Sequence, residues 1–399
     1  MAGSYKPPEA TYAELFTLTF HTVPGSELAP SALYQSGSLG RNTISTDARG
    51  IQTVELINQS GQPTRMIDNI GNVINMRYDS NRNRTRVTAA NGQEFNFTYD
   101  AFGNMTRTLR GFDGATTAIE YDTALFDLPT KIIDPLGRIY GFEYDLQGNL
   151  TRTTDPLDQT TEFTYNAAGQ VLTATDKLGQ VSTYTYDTLG RLVSITDELG
   201  RTVTYGYDDA GNQTTVTDPQ GRVTTTVYDA AGAPIQVTSP DTGITQFVYD
   251  GNKNLIQLID SLGRTKSWTY DERERVTSYT DALGNQTFMT YDEVGNMIAY
   301  TREDGTVIEY VYDDVNRVSE VRYPALTGIA ADTVTYTYDE LYRVTNQSDN
   351  DSSIDYVFDP VSRLTSTAQT WNGQADTLSF GYDLVDRRVS MTDATGTTT

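Results

Sequence analysis

The sequence contains no cysteine and a single histidine, His21. Disulfides and thiolate metal sites are therefore excluded, and zinc centres of the usual histidine-rich kind lack ligands. A Ser-His-Asp relay would need His21, which follows Phe20 outside any repeated motif; a lone histidine there is expected to be packed or solvated. Basic residues are also scarce. The 29 Lys and Arg face 53 Asp and Glu, a net charge of −24. Such a surface repels phosphates, which argues against nucleic acid and anionic lipid as partners; its expected role is to keep an edge-rich β protein soluble. There is no apolar run of the roughly 18 residues that a spanning helix needs. The opening stretch, Met1-Ala2-Gly3-Ser4-Tyr5-Lys6-Pro7-Pro8, does not have the form of a signal peptide. Long stretches of 3.6-residue periodicity are missing as well.

What the chain does hold is tyrosine (27 residues), glycine (32) and dense threonine, over a modest hydrophobic content of 37 %. This is β composition cut by turn residues. Tyr144, Tyr165, Tyr186, Tyr207, Tyr228, Tyr249, Tyr270, Tyr291 and Tyr312 follow one another at intervals of 21 residues, nearly all as the first half of a Tyr-Asp pair. The register continues upstream through Tyr99 and Tyr78, then Ile57 and Ser36, where the tyrosine is lost. A fixed period of this length means repeated supersecondary units, none of which can bury a hydrophobic face alone.

Two turn signals punctuate each repeat. One is Asp-x-x-Gly directly after the tyrosine, as in Asp145 to Gly148, Asp187 to Gly190 and Asp208 to Gly211. The other lies half a period later, as in Asp134-Pro135-Leu136-Gly137, Asp218-Pro219-Gln220-Gly221 and Asp197 to Gly200. Asp at the first position, Pro at the second and Gly at the fourth suit a type I turn. The carboxylate can accept a backbone N–H two residues ahead, and the glycine tolerates the left-handed conformation that closes such hairpins. Two four-residue turns leave about six residues per strand, the common length. Each repeat therefore reads as an antiparallel hairpin rather than a coil of a β-helix.

The residue two before each marker shares its side of the strand. Phe142/Tyr144, Tyr184/Tyr186, Tyr205/Tyr207 and Trp268/Tyr270 are such pairs, and the residue between is mostly small or polar. An aromatic stripe two rings wide is expected along one face. It could serve as a sugar-binding track, but such platforms favour exposed tryptophan and the chain has only Trp268 and Trp371. Packing between repeats, at about 0.5–1.5 kcal/mol per ring pair beyond burial, is the reading adopted.

The marker spacing divides the chain into a non-repeat segment 1–35, regular repeats over 36–323 and looser ones over 324–399, where the interval changes at Tyr338, Phe358 and Tyr382. Tyr12, Phe16, Leu18 and Phe20 of the first segment share one face of an extended strand and could cap the array. The insertion Pro324-Ala325-Leu326-Thr327-Gly328 is expected to leave the sheet, and the sequence stops inside a repeat. Seventeen markers from Ser36 to Tyr382 imply roughly 34 strands. A sheet this long should curl, because twist accumulates and open sheets rarely exceed about ten strands.

The segments Tyr144-Asp145-Leu146-Gln147-Gly148-Asn149-Leu150 and Tyr186-Asp187-Thr188-Leu189-Gly190-Arg191-Leu192, with Thr196-Asp197-Glu198-Leu199-Gly200-Arg201, resemble the YD-repeat or Rhs-repeat family. The resemblance covers roughly residues 36–399. Members include bacterial Rhs toxins, the C subunits of Tc toxins, wall-associated proteins and teneurins. It implies an all-β array of hairpins forming a long curled sheet or hollow shell. It also implies a secreted or cell-surface location and, in the toxin branch, an enclosed C-terminal cargo that this sequence does not contain. The C-terminal core that carries aspartyl self-cleavage in toxin-bearing members has no counterpart here, so no Asp is assigned that role.

No catalytic residue, cofactor or metal ligand is expected. The DxxG spacing accounts for the repeated aspartates without calcium, since no loop has the dense ligand pattern of an EF-hand. No carboxylate pair stands outside the repeat as a glycosidase pair would, and the glycines are spaced for turns, not for a phosphate loop. The expected function is a structural β-shell scaffold of an Rhs-like toxin-encapsulating or surface protein. The alternatives are a self-assembling adhesive or filament-forming module that pairs through its end strands, and a carbohydrate-binding repeat protein.

Overall fold

The computed structural model describes residues 41–46, 52–68, 70–122 and 127–398. The segment 1–35 with His21, and the marker position Ser36, lie outside the described residues. All 34 strands among the described residues belong to one antiparallel sheet, and no helix occurs among them.

The regular repeat is seen in the strands Val181–Tyr186, Leu192–Thr196 and Thr202–Tyr207. The first pairs with the second from Thr183↔Thr196 to Tyr186↔Leu192, and the second with the third from Ser194↔Thr204 to Thr196↔Thr202. The connections are five residues long, 187–191 and 197–201, one more than the turn motif itself. The register shifts at Thr185/Tyr186, where Thr185 faces Ser194 and Tyr186 faces Leu192; the β-bulge leaves Val193 unpaired and sharpens the local twist.

Alternation along Val181–Tyr186 is strict. Tyr184 and Tyr186 are partly covered while Val181, Thr183 and Thr185 are exposed. The exposed face carries hydroxyl pairs across strands: Thr164 with Thr173 at 2.6 Å, Thr185 with Ser194 at 2.6 Å and Thr269 with Ser278 at 2.7 Å. β-branched threonine suits the pleat, and its hydroxyl finds a partner on the neighbouring strand.

Two compact units are present. One is Tyr140–Met289. Its only strongly buried hydrophobic residue among those described is Val171. The other comprises the described parts of Val23–Ile139 together with Thr290–Thr399. It holds a cluster of Met76, Val87 and Phe97, with Met66, Ile74, Phe95 and Met105 packed against it. Ile132, Ile308 and Val321 are also buried in this unit. The long interval between Tyr312 and Tyr338 is taken up by exposed residues 324–331, pinned by a bridge between Leu326 and Ile329.

Candidate functional site: the hairpin turns

The chemistry of the chain is concentrated at its turns. Asp145 illustrates the post-tyrosine turn. Its N–H donates to the Asn149 carbonyl, its own carbonyl accepts from the Gly148 N–H at 3.0 Å, and Gly148 sits at φ 83°. Its Oδ1 accepts the backbone N–H groups of Gln147 and Asn149, both at 2.9 Å, and its Oδ2 accepts from the Asn149 side chain. Asp187, Asp197 and Asp208 occupy the same position, with Gly190, Gly200 and Gly211 all at positive φ. The half-period turn at Asp197 is built like its post-tyrosine counterparts, Oδ1 taking the Leu199 and Arg201 N–H groups and Oδ2 the Arg201 guanidinium. Each carboxylate is thus committed to closing its own turn.

Tyr144, Tyr186, Tyr207 and Tyr270 end the first strand of their hairpins, and Trp268 lies two residues before Tyr270. The marker hydroxyl reaches the preceding repeat. Tyr186 donates to the Val171 carbonyl at 2.9 Å, Tyr207 to Leu192 at 2.8 Å and Tyr270 to Leu255 at 2.8 Å, each 15 residues back. Phenylalanine at this position would leave the carbonyl without this donor, which explains why the clock is kept by tyrosine. Trp268 meets its cross-strand partner Tyr279 with ring centroids 5.5 Å apart.

A second link joins successive post-tyrosine turns through the residue after the glycine. Arg191 binds Asp187 through Nε, donates from Nη1 to the Asp208 carbonyl at 3.0 Å and lies 4.8 Å over the Tyr207 ring. Arg343 does the same toward Asp359 and Phe358, and Arg363 toward Asp383 and Tyr382. Gln170 reaches the Gly190 carbonyl and Asn296 the Asn316 side chain from the same position. A planar guanidinium can chelate one carboxylate, donate onward and stack on a ring at once.

Within the unit that contains the core cluster, turns distant in sequence also meet. Asn72 donates to the Glu340 carbonyl, Asn91 to the Pro360 carbonyl, and Arg110 to Leu384 O and the Asp386 carboxylate, across 268–276 residues. The Tyr342 hydroxyl donates to Asp68. Arg110 also binds Asp113 at 2.7 Å, and Arg363 approaches Asp113 at 3.5 Å and Asp386 at 3.0 Å. Half-period turns on one side thus abut post-tyrosine turns on the other, about thirteen 21-residue repeats apart.

The comparisons follow this geometry. The RHS Repeat family model matches residues 125–160, 144–181, 165–202, 186–223, 207–244, 249–286 and 291–327. The chain belongs to the Rhs-repeat family. Its fold is similar to that of the crystal structure of TcdB2-TccC3, at a TM-score of 0.60 and 15 % identity over 92 % of this chain and 25 % of that one. TcdB2-TccC3 without its hypervariable C-terminal region gives a TM-score of 0.60 at 14 % identity over 88 % of this chain and 24 % of that one. TcdB2-TccC3-Cdc42 gives 0.60 at 14 % over 92 % and 25 %. This chain therefore spans about a quarter of the length of those chains. No curated protein matches it.

The electrostatics of the Rhs turns agree with their hydrogen bonding. The Asn149 side chain holds the Asp145 carboxyl below its ordinary range, the Asn212 side chain does so for Asp208, and the Arg191 backbone N–H leads the same effect at Asp187. Burial raises the hydroxyls of the marker tyrosines, Tyr165, Tyr186 and Tyr270 among them. Tyr342 is pushed up to about 12 by burial and by the Asp68 carboxylate that its hydroxyl binds. At Asp113 burial acts upward, and the Arg110 hydrogen bond and charge more than offset it. Among the described residues, no group of three or more His, Asp or Glu could hold a metal ion.

Tyr121, which donates to the Met105 carbonyl at 2.9 Å, is the marker in the wide gap between Tyr99 and Tyr144; it belongs to the count of seventeen markers without being named there, and its Tyr-Asp pair with Asp122 is the signal. Sequence reasoning passed over two features of the Rhs repeat. Residue five of the turn, as at Arg191 and Arg343, could have been found from its recurrence as Arg, Asn or Gln. The contacts at Arg110 and Tyr342 leave no local signal.

Proposed function

We propose that this chain is a non-enzymatic wall segment of a larger Rhs-type assembly, secreted or surface-exposed and toxin-associated, in which the hairpin sheet walls off a polypeptide cargo. The observation that carries this reading is the unit Tyr140–Met289, where hairpin follows hairpin in one sheet with Val171 its only strongly buried hydrophobic residue among those described. Such a layer separates two sides without enclosing a core of its own. Its aspartates are engaged in turn closure and its tyrosine hydroxyls in inter-repeat bonds, as at Asp197 and Tyr207. The likeness in fold to TcdB2-TccC3 supports the same reading.

Protease protection tests it. An unstructured reporter placed after Thr399 in the assembled protein is expected to survive a protease that removes it once the assembly is denatured. Complete digestion of the reporter while the hairpins stay intact contradicts enclosure. Specific, saturable turnover of a substrate by a homogeneous sample contradicts the non-enzymatic role.

A further inference from the structure

The turn-to-turn contacts share one kind of acceptor and draw their donors from three places: the fifth residue of a turn at Asn72, the third at Asn91 and the strand end at Arg110. On one side the acceptor is always the carbonyl of the second turn residue: Glu340, Pro360 and Leu384. On the other side the donors are side chains at half-period turns: Asn72, Asn91 and Arg110. Beside Asn72 the third turn residue is apolar, Ile70 at 47 % exposed, and the connection after Arg110 carries Phe112 at 50 %.

The unit Tyr140–Met289 repeats the Asn72 form of the donor side. The residue equivalent to Asn72 is Gln159, Gln180, Arg201, Arg264 or Asn285, all exposed donors. The residue equivalent to Ile70 is leucine, and it stands far out: Leu157 77 %, Leu178 74 %, Leu199 69 %, Leu262 75 % and Leu283 85 % exposed. Leu157, Leu178 and Leu199 stand on consecutive half-period turns of one edge, and Leu262 and Leu283 follow beyond Gln220 and Asp241; exposed apolar groups of this kind mark interaction surfaces. Turn closure does not require them, since Gln220 fills the same position in the Asp218 turn.

We propose that this leucine edge binds the post-tyrosine turns of a second copy of this chain, reproducing between molecules the contact made within the other unit. The chain supplies both halves. Post-tyrosine turns also carry exposed apolar tips, Leu146 at 76 % and Leu189 at 74 %, beside the second-position carbonyls. Because the two edges differ, the contact is heterologous, and copies add head to tail instead of closing as a symmetric dimer.

Sedimentation velocity on the whole chain tests this. The expected result is a sedimentation coefficient that rises with protein concentration, and its loss in a variant with Leu178→Asp, Leu199→Asp and Leu262→Asp. A second variant with Leu146→Asp and Leu189→Asp is expected to be monomeric by itself. Mixing the two is expected to restore a one-to-one dimer that grows no further. Both variants should melt with the wild type, since the positions are exposed and substitutions there have little effect on stability. Wild type that stays monomeric at every concentration overturns the proposal. So does association that survives the triple substitution, which would point to pairing of end strands.

Discussion

Phe97 and Phe163 stand at the same place in the repeat, two residues before the markers Tyr99 and Tyr165, yet Phe97 is 8 % exposed while Phe163 is only partly covered. The difference separates two ways of stabilising one sheet. Tyr140–Met289 relies on the ladder, the turn aspartates and the tyrosine hydroxyls. The other unit adds a packed cluster and a set of turn-to-turn contacts. Gly190, Gly200 and Gly211 fill the left-handed position of their turns in the first unit, and Asp158, Lys253 and Glu274 take it in other turns of that unit. In the second, Tyr342, Ser362 and Asp386 adopt positive φ at that position, and each side chain makes a bond there, to Asp68, Arg343 and Arg110 respectively. At these three turns the residue that stands in for glycine supplies a contact.

The largest effect expected from this comparison lies at the paired phenylalanines. Phe97→Ala should cost about 4 kcal/mol, and Phe163→Ala about 2 kcal/mol because less area leaves water on folding. Urea unfolding of both variants measures the gap, and equal losses would break the comparison.

Next is Arg110→Ala. It removes the closer partner of Asp113, only 13 % exposed, and leaves Arg363 beside Asp113 at 3.5 Å and beside Asp386 at 3.0 Å. The expected cost is about 2 kcal/mol, below the full value for a broken buried pair because Arg363 still faces both carboxylates and Asp386 is partly solvated. Arg201→Ala removes a pair whose arginine is 60 % exposed and should leave the melting temperature unmoved.

Gly200 is at φ 75° with nothing near a would-be Cβ, so Gly200→Ala should cost about 1 kcal/mol from conformation alone. Tyr342→Gly should also destabilise, through the lost Asp68 contact, although it relieves a left-handed tyrosine. Thermal melts of the two variants check this; a more stable Tyr342→Gly protein would mean that the side chain contributes nothing.

The smallest effect is on pH dependence. Burial and the Asp68 carboxylate push the Tyr342 hydroxyl up to about 12 in the folded protein, above the ordinary tyrosine value of about 10. Its contribution is therefore complete below about pH 10 and is lost as pH rises toward 12. The turn carboxylates Asp145 and Asp208 are lowered, so their contribution is present at neutral pH and lost as pH falls below the ordinary carboxylate range. Because the marker tyrosines are raised as well, alkaline titration should loosen both units and most strongly the one that holds Tyr342, and acid should loosen both; Tyr342→Phe should shrink that excess alkaline loss.

The hairpins were legible in the sequence because everything that makes them is local. Asp145 and Gly148 are three residues apart, and Phe142 and Tyr144 two. The inter-repeat bonds were half legible. The rings of the stripe were expected to pack between repeats; the ring contact at Trp268 is with Tyr279 across its own hairpin, tilted by 37°. At Tyr186 and Tyr207, however, the hydroxyl carries the link, because a strand-end tyrosine can span the turn to the previous repeat. The pairing of Arg110 with Asp386 was not legible. Its partners are 276 residues apart, and which turns meet depends on small twists summed over the strands between them.

Native-state hydrogen exchange tests the central contrast most directly. Amides of the strands Val73–Tyr78 and Glu94–Tyr99, beside the packed cluster, should need about 2 kcal/mol more to open than those of Val181–Tyr186 and Thr202–Tyr207, roughly thirtyfold in exchange rate. Equal protection across the four strands would contradict the account.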